Sequence, residues 1–299
     1  MTADDLLDPR TSMAAVTLHV EDLDRMTAYY RDAIGLEETP PAGGETGDGA
    51  AVTLGRAGVP VVTLVRTPGL PRPRPGSAGL FHTAILFADE AALAAAVASV
   101  ATTAPGTYVG SADHLVSQAF YFTDPEGNGV ELYADRPRDR WRWSAGRVAM
   151  DTLPLDPHAF LGAHLEPGWT LGGGRPEIDP RAGGAVVGHV HLQVGDVPTA
   201  RTFYVDALGF EVTGEWHGAL FVAAGGYHHH MAVNSWRSRG AGPRAATLGL
   251  GEVQVVVPEA DDVAALAARL RDRGLTWEDD GAELRVRDPW RNLVRVRAA

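Results

Sequence analysis

Residues 20–37 read VEDLDRMTAYYRDAIGLE, and residues 194–211, VGDVPTARTFYVDALGFE, align with them without a gap. Seven of the aligned positions are identical, including a Tyr-x-Asp-Ala-x-Gly-x-Glu pattern in both stretches. A second pair of stretches, FTDPEGNGVELY (122–133) and VRDPWRNLVRVR (286–297), shares Asp-Pro-x-x-Asn. Repetition at a fixed spacing is typical of chains built from related units. The chain therefore consists of two related halves.

Each half contains two modules that read as a strand, a helix and then further strands. Asp22 is a plausible helix N-cap and Gly35 a plausible helix end, and alternating apolar segments follow as strands. Pro/Gly/Arg-rich segments separate the modules, and the fifty-residue connection between the halves carries one short predicted helix at 155–165. The predicted boundaries are a first half (12–135, modules 13–66 and 79–134), a linker (136–185) and a second half (186–299, modules 186–235 and 248–298).

The composition excludes several classes of function. The 299 residues include no Cys, and all 26 basic residues are Arg. Thiolate nucleophiles, iron–sulfur ligation, Schiff-base lysines and P-loops are therefore excluded. The net charge of −12 disfavours nucleic acid and anionic membrane surfaces as partners. The absence of a long apolar run and the polar N-terminus lead us to expect a cytoplasmic protein.

The four modules and their two signatures resemble the vicinal oxygen chelate superfamily, which includes glyoxalase I, bleomycin-resistance proteins and extradiol dioxygenases. The strings at 111–137, 188–196 and 225–236 look like the bacterial catechol 2,3-dioxygenase type. The resemblance implies an α+β fold in which four βαβββ modules form two cupped mixed-sheet barrels. It covers nearly the whole chain, and it is specific for the fold more than for catechol chemistry.

The resemblance also implies where metal ligands lie, on the first and last strands of a module. The first-strand position falls at His82 in module 2 and His189 in module 3, whereas modules 1 and 4 have Ala15 and Glu252 there. The last-strand position is Glu131 in module 2. Two His and one Glu suit non-haem Fe(II) oxygen chemistry. The predicted metal ligands are His82, Glu131 and His189, with Arg295 of module 4 pairing with Glu252.

The pairing of the modules decides whether these ligands meet. In extradiol dioxygenases modules 1 and 2 form one barrel, which would separate His82 and Glu131 from His189. In fused glyoxalase I chains the modules pair across the halves. We prefer the pairing of modules 2 with 3 and 1 with 4, because it completes one site. A homodimer that exchanges halves would reach the same arrangement.

The resemblance extends to catalytic residues. His229–His230 matches a His-His pair whose second member acts as a base, and the strand alternation places His228 and His230 on one face. Asp113–His114 and Phe120–Tyr121 match a further motif, although Gly110 replaces one of its histidines. The predicted catalytic residues are His230, Tyr121, His114 and Asp113.

These features predict a non-haem Fe(II) extradiol dioxygenase that cleaves a catechol-type ortho-diphenol with O₂. Mn, Ni, Zn or Co are the other metals that the ligands suit. One alternative is a glyoxalase-type lyase or isomerase, in which His230 is a fourth ligand. The other is a small-molecule binding protein, with Trp216, Phe221, Tyr227 and Trp236 lining a pocket or packing in the core.

Overall fold

The structure is a computed structural model that describes residues 6–40, 50–165, 183–281 and 283–299. Most of the glycine-rich part of the predicted linker, residues 172–182, lies outside these ranges. None of the helices in the described ranges is long and apolar enough to cross a membrane.

Each module contributes one long first strand, one helix and an antiparallel set of further strands. Module 1 contains β1 (Ser12–Val20), α1 (Leu23–Ala28), β2 (Glu37–Glu38), β3 (Ala51–Arg56) and β4 (Val59–Arg66). Module 2 contains β5 (Gly79–Phe87), α2 (Glu90–Thr103), β6 (Tyr108–Asp113), β7 (Ser117–Thr123) and β8 (Gly129–Asp135). The connection between the halves contains β9 (Trp143–Ser144), β10 (Arg147–Val148), β11 (Leu153–Pro154) and α3 (Pro157–His164), which is the short helix predicted there.

The second half repeats this order. Module 3 contains β12 (Ala185–Gln193), α4 (Val197–Arg201), β13 (Glu211–Trp216), β14 (Ala219–Ala223) and β15 (Met231–Asn234). Module 4 contains β16 (Gly249–Val257), α5 (Ala260–Asp272), β17 (Trp277–Asp279), β18 (Glu283–Arg287) and β19 (Leu293–Ala298). α1 begins after the predicted N-cap Asp22, whose carboxylate accepts from the Arg25 amide. Asp196 caps α4 in the same way, since its carboxylate accepts from the Thr199 amide.

Two large mixed sheets join the modules across the halves. One sheet has the order β17-β18-β19-β16-β1-β4-β3-β2, and the other has the order β11-β6-β7-β8-β5-β12-β15-β14-β13. β1 pairs antiparallel with β16, and β5 pairs antiparallel with β12. Modules 1 and 4 therefore share one sheet and modules 2 and 3 share the other, as in the preferred pairing. The structure thus has the predicted α+β architecture.

The two repeated sequence signatures hold the sheets together. Asp124 of the Asp-Pro-x-x-Asn turn accepts hydrogen bonds from the Glu126 and Asn128 amides, both at 2.9 Å, and from the Asn128 side chain at 2.8 Å. The Tyr30 hydroxyl of module 1 donates to the same carboxylate at 3.2 Å. In the second half, Tyr204 donates to Asp288 at 2.9 Å in the same way. Since the two modules of a half lie in different sheets, each of these buried bonds connects one sheet to the other.

Candidate metal centre

Three neighbouring strands place the predicted ligands on one face of the sheet of modules 2 and 3. Glu131 lies on β8, His82 on β5 and His189 on β12. Ala84 of β5 is the cross-strand partner of both Glu131 and His189. His82 precedes Ala84 by two residues, and side chains two residues apart on a strand point to the same face. The three side chains therefore surround the small side chain of Ala84.

Both histidines contact the same carboxylate oxygen. The Nε2 atom of His82 lies 2.9 Å from Glu131 Oε2, and the Nε2 atom of His189 lies 3.1 Å from it. Only 6%, 2% and 3% of His82, Glu131 and His189 are exposed. The His82 contact lacks hydrogen-bond geometry, so that buried nitrogen has no hydrogen-bond partner in the described residues. Two imidazole nitrogens therefore converge on one buried oxygen, and only the His189 nitrogen is hydrogen-bonded to it.

The donor set fits a divalent metal ion. Within the described ranges, His82, Glu131 and His189 form a group whose ligand-type atoms all lie within 4.8 Å of one another. Imidazole suits Zn, Cu, Fe and Ni, and two imidazoles with one carboxylate leave positions open for substrate. The unsatisfied His82 nitrogen and the shared Glu131 oxygen are the donor atoms that such an ion would use.

The electrostatics keep His189 and Glu131 in their metal-binding forms. Burial lowers the pKa of His189 to about 4, so this imidazole is neutral at pH 7. Burial would raise the pKa of the Glu131 carboxyl, but the neighbouring His189 and His82 outweigh it and hold that pKa well below its usual range. Neutral histidine and ionised carboxylate are the states in which these groups coordinate metals.

Tyr121 and His114 lie beside the cluster as a hydrogen-bonded pair. Tyr121 is the cross-strand partner of Glu131, and its hydroxyl lies 2.6 Å from His114 Nε2. His114 Nδ1 donates to the Asp151 carbonyl at 2.7 Å. Burial, together with the nearby Glu131 carboxylate, raises the pKa of Tyr121 well above its usual range, so the hydroxyl keeps its proton. Both side chains line the large cavity next to the cluster.

Asp113, which the sequence predicts as a catalytic residue, contacts an arginine and a main-chain amide. Its carboxylate accepts from Arg136 at 2.6 Å and from the Leu115 amide at 2.9 Å, and it is not among the cavity-lining residues. A carboxylate whose oxygens cap a turn and bind an arginine is committed to holding that turn. Gly110, which replaces the motif's histidine, lies on β6 opposite Tyr121.

The histidine run differs from the prediction by one residue. The structure places His229, not His230, at the cavity wall, with its ring 4.1 Å from that of His189. His230 lies behind the wall, where its Nδ1 accepts from the Ala224 amide at 3.2 Å and its ring packs on Tyr227. His229 therefore faces the cavity where the sequence predicted His230, because the run precedes β15 and does not follow strand alternation.

A chain of hydrogen bonds fixes which nitrogen of His229 is basic. His228 Nε2 lies 2.9 Å from the Asp135 carboxylate, which accepts its proton, so the Nδ1 of a neutral His228 is an acceptor. His229 Nδ1 lies 2.8 Å from that acceptor and must donate to it. The lone pair of a neutral His229 is therefore on Nε2. A carboxylate that orients a histidine in this way is a common support for functional imidazoles.

The cluster opens onto a cavity of about 790 Å³. Trp216, Phe221 and Trp236 line it, as one of the sequence hypotheses required, but Tyr227 does not. The Tyr227 hydroxyl instead lies 2.8 Å from the Tyr133 hydroxyl in the buried layer behind the cluster. A cavity of this size with aromatic walls and a few polar groups is typical of a small-molecule site.

His191 was not among the site residues predicted from the sequence. It is the cross-strand partner of His82 on β12, and it lines the cavity. Its Nε2 lies 2.9 Å from the Asn234 amide nitrogen, which donates to it. The sequence does contain a pattern that predicts this position, because His191 follows His189 by two residues and strand alternation places both side chains on one face. His229 is the other cavity residue that the prediction did not assign.

The other sheet carries ion pairs where the first carries ligands. Arg295 lies 3.6 Å from Glu252, as predicted, and Arg285 lies 3.9 Å from the same carboxylate. Glu283 binds both arginines. Buried arginine–carboxylate contacts occupy the carboxylates that a metal would need.

The fold and the site define a class of protein, in which βαβββ modules pair into curved sheets and a His-His-Glu group faces a cavity. The family model described as Glyoxalase/Bleomycin resistance protein/Dioxygenase superfamily matches residues 12–132 and 186–296. A "Catechol-2,3-dioxygenase" from Bacillus subtilis (strain 168) is 35% identical over 286 residues, covering 93% of this chain and 94% of the relative. This chain belongs to the Glyoxalase/Bleomycin resistance protein/Dioxygenase superfamily.

Solved structures share the fold at low sequence identity. A structure from Bacillus subtilis subsp. subtilis strain 168 has a TM-score of 0.63 at 13% identity, covering 96% of this chain and 84% of that one. Glyoxalase I from Zea mays has a TM-score of 0.56 at 16% identity, covering 96% and 92% of the two chains. These similarities support the architecture alone.

Proposed function

We propose that this protein is a metal-dependent extradiol dioxygenase that cleaves the ring of a catechol-type ortho-diphenol with O₂, with Fe(II) held by His82, Glu131 and His189. The observation that carries the proposal is the convergence of two imidazoles and one carboxylate at the wall of an aromatic cavity. The relative named Catechol-2,3-dioxygenase, which is similar over nearly the whole chain, supports this reaction over others on the same fold.

His82, Glu131 and His189 would hold a divalent ion, which would supply Lewis acidity toward the diphenol oxygens and O₂. His229 then takes a phenolic proton on Nε2, the nitrogen that the Asp135–His228 chain leaves basic. Tyr121 and His114 lie on the opposite side of the cluster from β12 and hold protons near the substrate oxygens. The Tyr121 hydroxyl and His114 Nε2, 2.6 Å apart, would share a proton beside the substrate oxygens.

The number of ligands favours ring cleavage over the glyoxalase-type alternative. That alternative used His230 as a fourth ligand, but His230 lies behind the cavity wall and accepts from the Ala224 amide. Three protein ligands leave more positions for a chelating diphenol and O₂ than four do. The binding-protein alternative needs no ligand cluster, and the buried group at Glu131 would then have no role.

The test is anaerobic loading of the purified protein with Fe(II), followed by assays of catechol absorbance and O₂ uptake. We expect one bound iron per chain and ring cleavage with equal consumption of catechol and O₂. Glu131→Gln and His82→Ala should lose most of the bound iron and the activity, because each removes one of three bonds.

The matched control is Glu252→Gln, which changes a mostly buried carboxylate of the other sheet that contacts arginine. It should keep its iron. Iron binding that persists in Glu131→Gln at the wild-type level would contradict the proposed ligand set. Stoichiometric iron without O₂ uptake, together with proton exchange on hemithioacetals, would favour the glyoxalase-type alternative.

A further inference from the structure

The wall of the cavity carries an uneven set of charges. Three arginines line it, Arg74, Arg237 and Arg244, while Glu131 is the lining carboxylate within the described residues. Glu131 is committed to the metal cluster. The cavity wall is therefore cationic, although the whole chain has a net charge of −12. A local field of this sign raises the concentration of anionic ligands in the cleft.

Arg244 is the least solvated of the three, and no carboxylate of the described residues forms an ion pair with it. Its terminal Nη2 donates to the Leu250 carbonyl at 2.7 Å, and its buried Nε has no hydrogen-bond partner among the described residues. No described carboxylate oxygen lies within 4.0 Å of it. Asp288 attracts it from a distance, but the Asp288 oxygens already accept from Tyr204, Trp290 and Asn292. A partly buried guanidinium without an anion is costly to keep unless a ligand supplies one.

The arginines come from two loops that meet over the cavity. One loop is the Pro-rich segment 68–76 and the other is the segment 237–244, both of which separate modules in the sequence. The Leu248 amide donates to the Pro71 carbonyl at 2.9 Å, and Gly76 faces the Arg237 carbonyl. The loops therefore form a joint cover, with Arg74 and Arg237 exposed on it and Arg244 further inside.

Arg244 lies at a distance from the cluster that a substrate side chain can span. The Arg244 Cδ atom lies 4.0 Å from the position that a Cβ atom would occupy on Gly79, at the start of β5. His82 follows three residues later on the same strand, which is about 10 Å at the usual rise of a strand. Both Arg244 and His82 line the same cavity. A diphenol ring at the cluster with a short side chain would reach the guanidinium.

We infer that Arg244 forms the core of a carboxylate subsite, so that the substrate is an ortho-diphenol with a short carboxylate-bearing side chain. This inference rests on the proposed function for the position of the diphenol ring. Arginine binds a carboxylate through two parallel N–H donors, and this geometry selects a carboxylate over a neutral ester. Arg74 and Arg237 attract the anion to the cover, and Arg244 holds it.

The test compares three probes on the Fe(II)-loaded protein, catechol, 3-(2,3-dihydroxyphenyl)propionate and the methyl ester of that acid. We expect kcat/KM for the acid to exceed that for the ester. Arg244→Gln should lower kcat/KM for the acid about 10- to 100-fold, the usual contribution of a hydrogen bond to a charged group. In the same variant, kcat/KM for catechol and for the ester should change little. Arg244→Lys should recover part of the preference, since it keeps the charge but loses the paired donors.

Arg239→Gln is the matched control, because Arg239 lies on the same loop, is exposed and does not line the cavity. It removes the same charge and should leave the acid preference intact. Calorimetric binding of the acid and the ester to the metal-free protein gives a second readout that needs no turnover. This calorimetric comparison tests the inference even if Arg244→Gln fails to fold, because the preference for the acid over the ester is measured on the wild-type protein.

The outcomes separate this inference from the proposed function. Catechol cleavage with equal constants for acid and ester in the wild type would overturn the carboxylate subsite and leave the dioxygenase proposal intact. Tighter binding of the acid that depends on Arg244, without cleavage of any diphenol, would support the subsite and contradict the dioxygenase proposal. If Arg244→Gln lowers kcat/KM equally for all three probes, Arg244 supports the structure of the cover and does not select the carboxylate, which would overturn the inference.

Discussion

The three consecutive histidines at 228–230 have three different environments. His228 contacts Asp135, His229 faces the cavity, and His230 accepts from a main-chain amide behind it. The sequence analysis predicted a strand here, in which alternation would place His228 and His230 on the same face. The run instead lies in a non-strand segment between β14 and β15, after two glycines with positive φ, 63° at Gly225 and 66° at Gly226. A period of two cannot be applied outside a strand.

His229→Ala and His230→Ala should therefore have different effects. We expect His229→Ala to keep its iron and to lose turnover by about 10²- to 10⁴-fold, the usual worth of a positioned acid or base. His230→Ala should keep turnover within a few fold, because it removes a hydrogen bond behind the wall. Iron content and kcat of the two variants, measured side by side, check this. A larger loss of kcat in His230→Ala would return the base to the originally predicted residue.

Asp135 acts on His229 through His228, so it is a positioning residue. Asp135→Asn removes the anionic acceptor that fixes the His228 tautomer, and the proton of His229 is then free to move to Nε2. We expect kcat to fall by about tenfold or more with KM nearly unchanged, the range reported for loss of such supporting partners. A parallel rise in KM, or loss of folded protein, would indicate a structural role instead.

At the scale of elements, the sequence predicts the modules well because each one is defined by local signals. Strand alternation, the Asp N-caps and the Asp-Pro-x-x-Asn turns all reflect contacts within a few residues. The ligand positions on β5, β8 and β12 follow once the modules are aligned. Which modules share a sheet does not follow, because the antiparallel pairing of β5 with β12 joins residues about a hundred positions apart.

The repeated Tyr and Asp signatures predict a stability effect at the contact between sheets. Tyr204→Phe removes the hydroxyl that binds Asp288, and Tyr30→Phe removes the one that binds Asp124. Each should lower the free energy of unfolding by about 1–2 kcal/mol, because a buried acceptor loses a partner. Urea denaturation measures the change, with Tyr108→Phe as the control, since the Tyr108 ring is partly exposed and its bond to Ser111 is local. An unchanged unfolding midpoint in both variants would contradict this role.

At the scale of the molecule, the candidate site depends on both halves of the chain. Glu131 and His82 come from the first half, whereas His189 comes from the second. A metal ion held by these three residues would crosslink β8, β5 and β12 at the centre of one sheet. Since the unfolded chain does not present these ligands together, the metal stabilises the folded state through its binding free energy.

Loading with Fe(II) or Zn(II) should consequently raise the Tm of the wild-type protein. At a free metal concentration of 100 times Kd, the expected stabilisation is about 2.7 kcal/mol. Thermal unfolding of wild-type and His189→Ala protein, with and without metal, measures it. The variant should show no metal-dependent rise, while the exposed His158→Ala control should behave as the wild type. An equal rise in His189→Ala would place the bound metal elsewhere.

The most direct test of the account is anomalous diffraction from crystals of the anaerobically Fe(II)-loaded protein, collected at the iron edge. We predict one strong peak per chain above Ala84, with the ion about 2.0–2.3 Å from one nitrogen of each of His82 and His189 and from one oxygen of Glu131, the range of metal–ligand bonds in proteins. His229 should lie beside the ion without bonding to it. A peak coordinated by a fourth histidine would contradict the three-ligand site, and a peak away from the β5–β8–β12 face would contradict the account as a whole.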